Sequence, residues 1–163
     1  MKIIKKIINV LTTLIIVVGG IFLVLYLFGI VPYVILSGSM EPTIKTGSLC
    51  FINKKVDVQE IKKKDVIAFK LDDGTLVTHR VDKINKDGII TKGDNNKRVD
   101  DGVVTANNYV GKNIFWIPKV GYVVMAFQST RGKIVLITCV VLLFVVGMLF
   151  GDDTKKKKNK IAC

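Results

Sequence analysis

"IINVLTTLIIVVGGIFLVLYLFGI", residues 7–30, carries no charged side chain. As one α-helix rising ~1.5 Å per residue it would reach ~36 Å, enough to cross a bilayer with some tilt. As a core helix it would need a surrounding domain. Only about 100 residues separate it from a second uncharged block, "IVLITCVVLLFVVGMLF" at 134–150, and so short a chain cannot enclose both. The first block is therefore read as a membrane anchor. The second has 17 residues, the lower edge of the ~17 to 25 that span a bilayer, and is read as a second spanning helix. Lys2, Lys5 and Lys6 give the first block the positive leader of a cleavable signal. It is too long for one, and no small-x-small site follows it.

The flanking charge sets the orientation, because short basic segments stay in the cytoplasm. Residues 1–6 and the tail 151–163, with Lys155 to Lys158, are read as cytoplasmic. Segments 7–30 and 134–150 then span the membrane, and 31–133 forms the extracytoplasmic domain of a multi-pass protein of the cell membrane. That domain holds 17 Lys and Arg against 11 Asp and Glu, half of the chain's net charge of +12. The lysines are scattered and bracketed by apolar blocks, so the bilayer with its anionic headgroups is the expected partner and nucleic acid is not. Cys50, Cys139 and Cys163 cannot make a disulfide framework: one opens the outer domain, one falls inside a helix and one is the last residue. No metal-ligand spacing is present and no cofactor is implied.

Between the blocks the pattern is that of strands. "SLCFIN" (48–53), "DVIAFKL" (65–71), "TLVTHRVDKI" (75–84), "GIITKG" (88–93), "VVTANNYVG" (103–111) and "NIFWI" (113–117) are short and rich in β-branched and aromatic residues. Turn signals such as Asp73-Gly74 and Asp87-Gly88 separate them. The fold class is mainly β, an antiparallel domain held by an N-terminal and a C-terminal transmembrane helix. The Lys-rich run 53–64 reads as a solvated loop or short connection.

Few residues can do chemistry. His79 is the only histidine, and in strand alternation it shares a face with Val77, where packing can hold its ring. Histidine as a residue type ordinarily titrates near ~6.5 and can serve as a general base near neutrality. A lone strand histidine is also a common structural residue. In "TKGDNNKRVDDG" (91–102), Asp94, Asp100 and Asp101 follow a strand; a carboxylate beside His79 would fix its tautomer, though the same run is ordinary turn chemistry. In "SGSMEP" (37–42), Ser39 suits a nucleophile. Gly38 lets a substrate backbone approach, while the Ser39 N–H and the Ser37 hydroxyl can face a developing oxyanion. A serine needs a base, and His79 is the obvious one.

The ordered set "SGSMEPTI", "THRV" and "TKGDNNKRVDD" after an anchor resembles type I signal peptidases of the Ser-His kind, peptidase family S26B, as found in archaea, the endoplasmic reticulum and some Gram-positive bacteria. The resemblance covers about Val34 to Asp101 and extends to "FWIPKVGYV" (115–123), which looks like a closing strand segment. It implies Ser39 as nucleophile, His79 as general base where commoner bacterial enzymes have lysine, Asp100 as the residue orienting His79, and Asp94 as a supporting residue. The adjacent Asp101 leaves open which carboxylate is in place. It further implies membrane-bound serine endopeptidase activity on secretory preproteins with small residues one and three positions before the cut, the substrate adding as a β-strand. Whether other subunits take part is open. A Ser-Lys dyad using Lys70 or Lys92 is a second enzymatic reading, and a non-catalytic membrane-tethered β module or inactive subunit is a third.

Overall fold

The computed structural model describes residues 2–151, and residues 152–163 of the tail read as cytoplasmic lie outside them. The described chain forms two bodies: residues 15–125, and a helical body made of residues 2–14 and 126–151. Helix α1 runs Lys2–Leu27, and the strands are β1 (Ile30–Val34), β2 (Leu49–Asn53), β3 (Val66–Lys70), β4 (Leu76–Asn85), β5 (Gly88–Lys92) and β6 (Tyr109–Ile117). Helices α2 (Val120–Gln128) and α3 (Thr130–Gly151) follow. Within α1, Asn9–Leu27 is long and apolar enough to cross a membrane, with a mean hydropathy of 2.7.

All strand pairs are antiparallel, in the order β1-β2-β6-β3-β4-β5. β3 lies inside the sheet between β4 and β6, and its residues alternate between two clusters: Val66 and Ala68 pack with Ile35, Met40, Ile44, Cys50 and Ile52, while Ile67 and Phe69 pack with Ile61, Val81, Ile89 and Val104. Both faces being covered, "VIAF" reads as a continuous apolar run rather than an alternating one. On β2, Phe51 stacks on Phe115 with ring centroids 4.2 Å apart and on Phe22 of α1 at 6.4 Å.

The turn signals at 73–74 and 87–88 close the β3–β4 and β4–β5 connections. At Gly88 (φ +136) a side chain would meet Val104 O at 2.6 Å, so glycine is required there. Three segments differ from the strand reading. Ile30, assigned to the anchor, lies in β1, because Gly29 at φ 78 ends the helical run. "VVTANNYVG" supplies only an isolated bridge at Val104 before β6 begins at Tyr109; the Asn108 side chain accepts from Thr105 N at 2.8 Å and turns the chain instead. "FWIPKVGYV" is strand only to Ile117 and becomes α2 at Val120. β6 already has β2 and β3 on its two sides, and Lys119 at φ 66 breaks its extension. The second apolar block begins in helix at Thr130, before Ile134. By length and composition, Val120–Gln128 and Thr130–Leu142 qualify together as either one broken span or a re-entrant loop.

Candidate active site

The loop from Ile35 to Ser48 joins β1 to β2, and two apolar side chains fix it. Met40 and Ile44 are fully buried in the first cluster, and Ile44 N donates to Met40 O at 2.9 Å. Burial of each stabilises the loop by about 1.5–3 kcal/mol. The Glu41 carboxylate accepts from Thr46 N at 3.1 Å and Thr46 Oγ1 at 3.0 Å. These bonds, the backbone one foremost, hold its carboxyl below the ordinary range. Ser39 is half-buried on the rim of this plug, displayed by the anchored Met40 beside it.

His79 sits inside β4, opposite Ile67 of β3, and its ring meets Phe69 edge-on at 6.2 Å. The residue is buried, 7% exposed. Its Nε2 lies 3.0 Å from Ser39 Oγ, and its Nδ1 lies 2.7 Å from Asp100 Oδ2. An ionised carboxylate can only accept, so Nδ1 donates to Asp100 and Nε2 is left to accept the Ser39 proton.

Of the three aspartates in the loop after β5, only Asp100 touches the imidazole. Its N–H donates to Thr91 O at 2.9 Å, and its Oδ2 also accepts from Thr91 Oγ1 at 2.6 Å. Asp94 accepts from Arg80 Nε at 2.8 Å and Nη2 at 2.7 Å, while Arg80 Nη1 donates to Lys64 O at 3.0 Å. The guanidinium bonds, outweighing partial burial, hold the Asp94 carboxyl below its usual range. Asp101 is exposed and makes no bond to the ring.

Ser37 is exposed, its hydroxyl 3.2 Å from Ser39 Oγ. The Ser39 N–H has no acceptor among the described residues. A hydroxyl beside an imidazole nitrogen, a free amide and a second hydroxyl are therefore gathered in one place, an arrangement chemically able to carry acyl transfer. Lys70 is exposed at the end of β3, and neither it nor Lys92 bonds to Ser39.

Three further residues hold the site and were not singled out as functional in the sequence. Asn95 N donates to Ser39 O at 2.8 Å, and Asn95 Nδ2 to Gly38 O at 3.3 Å. At Gly93 a side chain would strike Ser39 O at 2.6 Å, whereas one at Gly38 would meet Glu41 only at ordinary contact distance. Close approach within the protein thus requires the glycine at 93. Thr91 is the third. The "TKGDNN" spelling was the available signal. A cavity of about 690 Å³ opens beside His79, floored by Phe69, Leu71 and Val77 and roofed by the loop 95–102. Cys50 takes no part, since burial pushes its thiol up to about 12. Among the described residues no group of His, Cys, Asp or Glu is placed to hold a metal ion.

Residues 4–112 match the family described as "Signal peptidase, peptidase S26". The chain is similar to "Signal peptidase I W" of Bacillus subtilis, 46% identical over 85 residues, which are 50% of this chain and 45% of that one. It is also similar to "Signal peptidase complex catalytic subunit SEC11" of Colletotrichum graminicola, 30% identical over 110 residues covering 59% of this chain and 63% of the relative. The subunit of the same name from Lodderomyces elongisporus is 30% identical over 112 residues, covering 60% and 66%. The chain thus spans under half of the bacterial relative and just under two thirds of the fungal ones.

Proposed function

The chain belongs to the signal peptidase family, peptidase S26, and from that premise we propose that it is a membrane-bound serine endopeptidase that removes N-terminal signal peptides from secretory preproteins. The observation that carries the proposal is the run of contacts from Ser39 Oγ to His79 Nε2 at 3.0 Å and from His79 Nδ1 to Asp100 at 2.7 Å.

In this reading Ser39 Oγ attacks the scissile carbonyl carbon as its proton passes to His79 Nε2. The Ser39 N–H and the Ser37 hydroxyl donate to the oxygen that becomes negative. His79 then protonates the departing amine of the mature protein, leaving the signal peptide as an ester on Ser39. Water attacks that ester, gives its proton to His79, and Ser39 leaves with the proton returned. Asp100 stays ionised, holds the tautomer and stabilises the imidazolium.

The membrane reading has separate support. β1 begins three residues after α1 ends, so Ser39 is 12 residues beyond Leu27. A fully extended link of that length reaches about 40 Å at most, and the observed strand pairing makes it shorter. Ile114, Phe115, Trp116 and Ile117 at the end of β6 remain 37–44% exposed, as suits contact with lipid. We assign residues 7–27 and 134–150 to the membrane, residues 30–133, beginning with β1, to its outer side, and residues 1–6 and 151–163 to the cytoplasm. The substrate is an extended segment with small residues one and three positions before the cut.

The test uses the full chain purified in detergent, incubated with a preprotein, with N-terminal sequencing of the product. Cleavage at the signal boundary is expected, and Ser39→Ala and His79→Ala should each abolish it. Retained cleavage in either variant would reject the assignment.

A further inference from the structure

We propose that the Thr91 hydroxyl is a positioning group for this site, locking the Asp100 carboxylate onto His79; the inference rests on the reading of Ser39, His79 and Asp100 as catalytic. Thr91 lies in β5 directly across from Val81 of β4. Val81 is two residues from His79 and therefore on the same face of the strand, so the Thr91 side chain is delivered to the face that carries the imidazole. The residue is fully buried, 0% exposed.

A buried hydroxyl needs a partner, and this one has Asp100 Oδ2 at 2.6 Å, the same oxygen that lies 2.7 Å from His79 Nδ1. The carboxylate can only accept, so both the threonine and the imidazole must donate. A second tether, Asp100 N to Thr91 O at 2.9 Å, fixes the backbone of the aspartate to the same residue. The Asp100 side chain is 18% exposed, against 9% for His79. The carboxylate is therefore partly open to water, and the Thr91 hydroxyl is a fixed protein donor to it. Without the hydroxyl the carboxylate keeps its charge but loses the donor that selects its rotamer, and the Nδ1–H bond loosens. A strand threonine would satisfy itself equally well on a carbonyl; here the hydroxyl is spent on the one carboxylate that touches the base.

Thr91→Val replaces the hydroxyl by a methyl of similar size, and Thr91→Ser keeps it. In preprotein cleavage by the full chain in detergent, Thr91→Val should lower kcat by about tenfold or more with KM little changed, from the strength of a hydrogen bond to a charged group. Thr91→Ser should restore most of it. In an Asp100→Asn background the same Thr91→Val change should cost less than about twofold, because the group it acts through is gone. Equal losses in both backgrounds, or a lowered unfolding temperature with kcat unchanged, would overturn the proposal. Thr91→Ala replaces the valine variant if that does not fold.

A second readout needs no turnover. The chain has one histidine, so ¹⁵N-histidine labelling gives a single imidazole spectrum. The Nδ1–H signal should be protected from solvent exchange in the native chain and in Thr91→Ser, and lost to exchange in Thr91→Val. An unchanged signal in Thr91→Val overturns the assignment. If that signal responds as expected while the native chain cuts no preprotein, the peptidase reading fails and the Thr91 assignment stands.

Discussion

At the scale of single residues, adjacent aspartates 100 and 101 have the same chemistry and different surroundings. Only Asp100 is bonded to the imidazole, and Asp101 faces solvent. Asp100→Asn should therefore lower kcat for preprotein cleavage by about 10³–10⁴, the cost of leaving a catalytic histidine in the wrong tautomer, while Asp101→Asn should leave it within about twofold of native. Steady-state kinetics of both variants decide this, and the reverse order would reassign the carboxylate. Asp94 acts on stability. Its carboxyl is held low, chiefly by the Arg80 bonds, so the ion pair stabilises the fold fully above the ordinary aspartate value of ~3.9 and loses that contribution as pH falls through the lower folded value. Asp94→Asn should cost about 1–3 kcal/mol in urea unfolding at pH 7, and the gap from native should close below about pH 4. A gap that stays constant with pH would mean the pair is not what stabilises the loop. Ser39, His79 and the candidate aspartates were legible because serine before methionine, a single histidine and a Gly-Asp turn are local signals. Thr91 and Asn95 were not. Each acts across a strand or loop pairing, and the "TKGDNN" spelling around them marks the segment without saying which of its side chains reaches the site.

Among the elements, the Ile35–Ser48 loop and the loop after β5 are held against each other by backbone contacts, which makes them sensitive to small volumes. Ile44→Ala empties a fully buried site in the first cluster and should destabilise the protein by about 2–5 kcal/mol in equilibrium unfolding. Gly93→Ala puts a methyl where Ser39 O stands, at 2.6 Å. The Ser39 backbone must then move, and with Ser39 as the proposed nucleophile a displacement of about 1 Å should cut kcat by about 100-fold. Cleavage by Gly93→Ala at the native rate would show that the two loops part without consequence. Strand pattern and turn glycines conveyed most of the sheet, because β3 and β4 carry their burial in their own composition. The order of strands was not legible, since β6 inserts between β2 and β3, which precede it by about 40 residues or more. That insertion also bears on α2: "VGYVV" has strand propensity, but β6, which it would prolong, is already paired on both sides, and Lys119 at φ 66 turns the chain out of the strand into a helix that satisfies its own backbone. Gly47 fits the same account, as a side chain there would overlap the Tyr122 ring of α2.

For the molecule as a whole, the decisive question is which side of the membrane the sheet occupies. Lys55 Nζ donates to Leu27 O at 3.0 Å, a cation on the negative end of α1, and Phe22 of α1 meets Phe51 of β2. The end of the anchor is thus built into the sheet body, and the sheet must emerge on whichever side α1 delivers it. Lys2, Lys5 and Lys6 lie at the other end of α1, and the proposal above takes them to keep that end in the cytoplasm, which would put the sheet outside. Lys62, Lys63 and Lys64 are exposed in the segment after the short 3₁₀ turn at Val58–Glu60, and they supply a reporter. In a bacterial host expressing the full chain, trypsin added to intact spheroplasts should cut within 62–64, and in everted vesicles the same bonds should be protected until detergent is added. Cutting in everted vesicles with protection in spheroplasts would place Ser39 and His79 on the cytoplasmic side. Secretory signal peptides would then meet them only before export, and the proposed substrate would have to be given up even with the triad geometry intact.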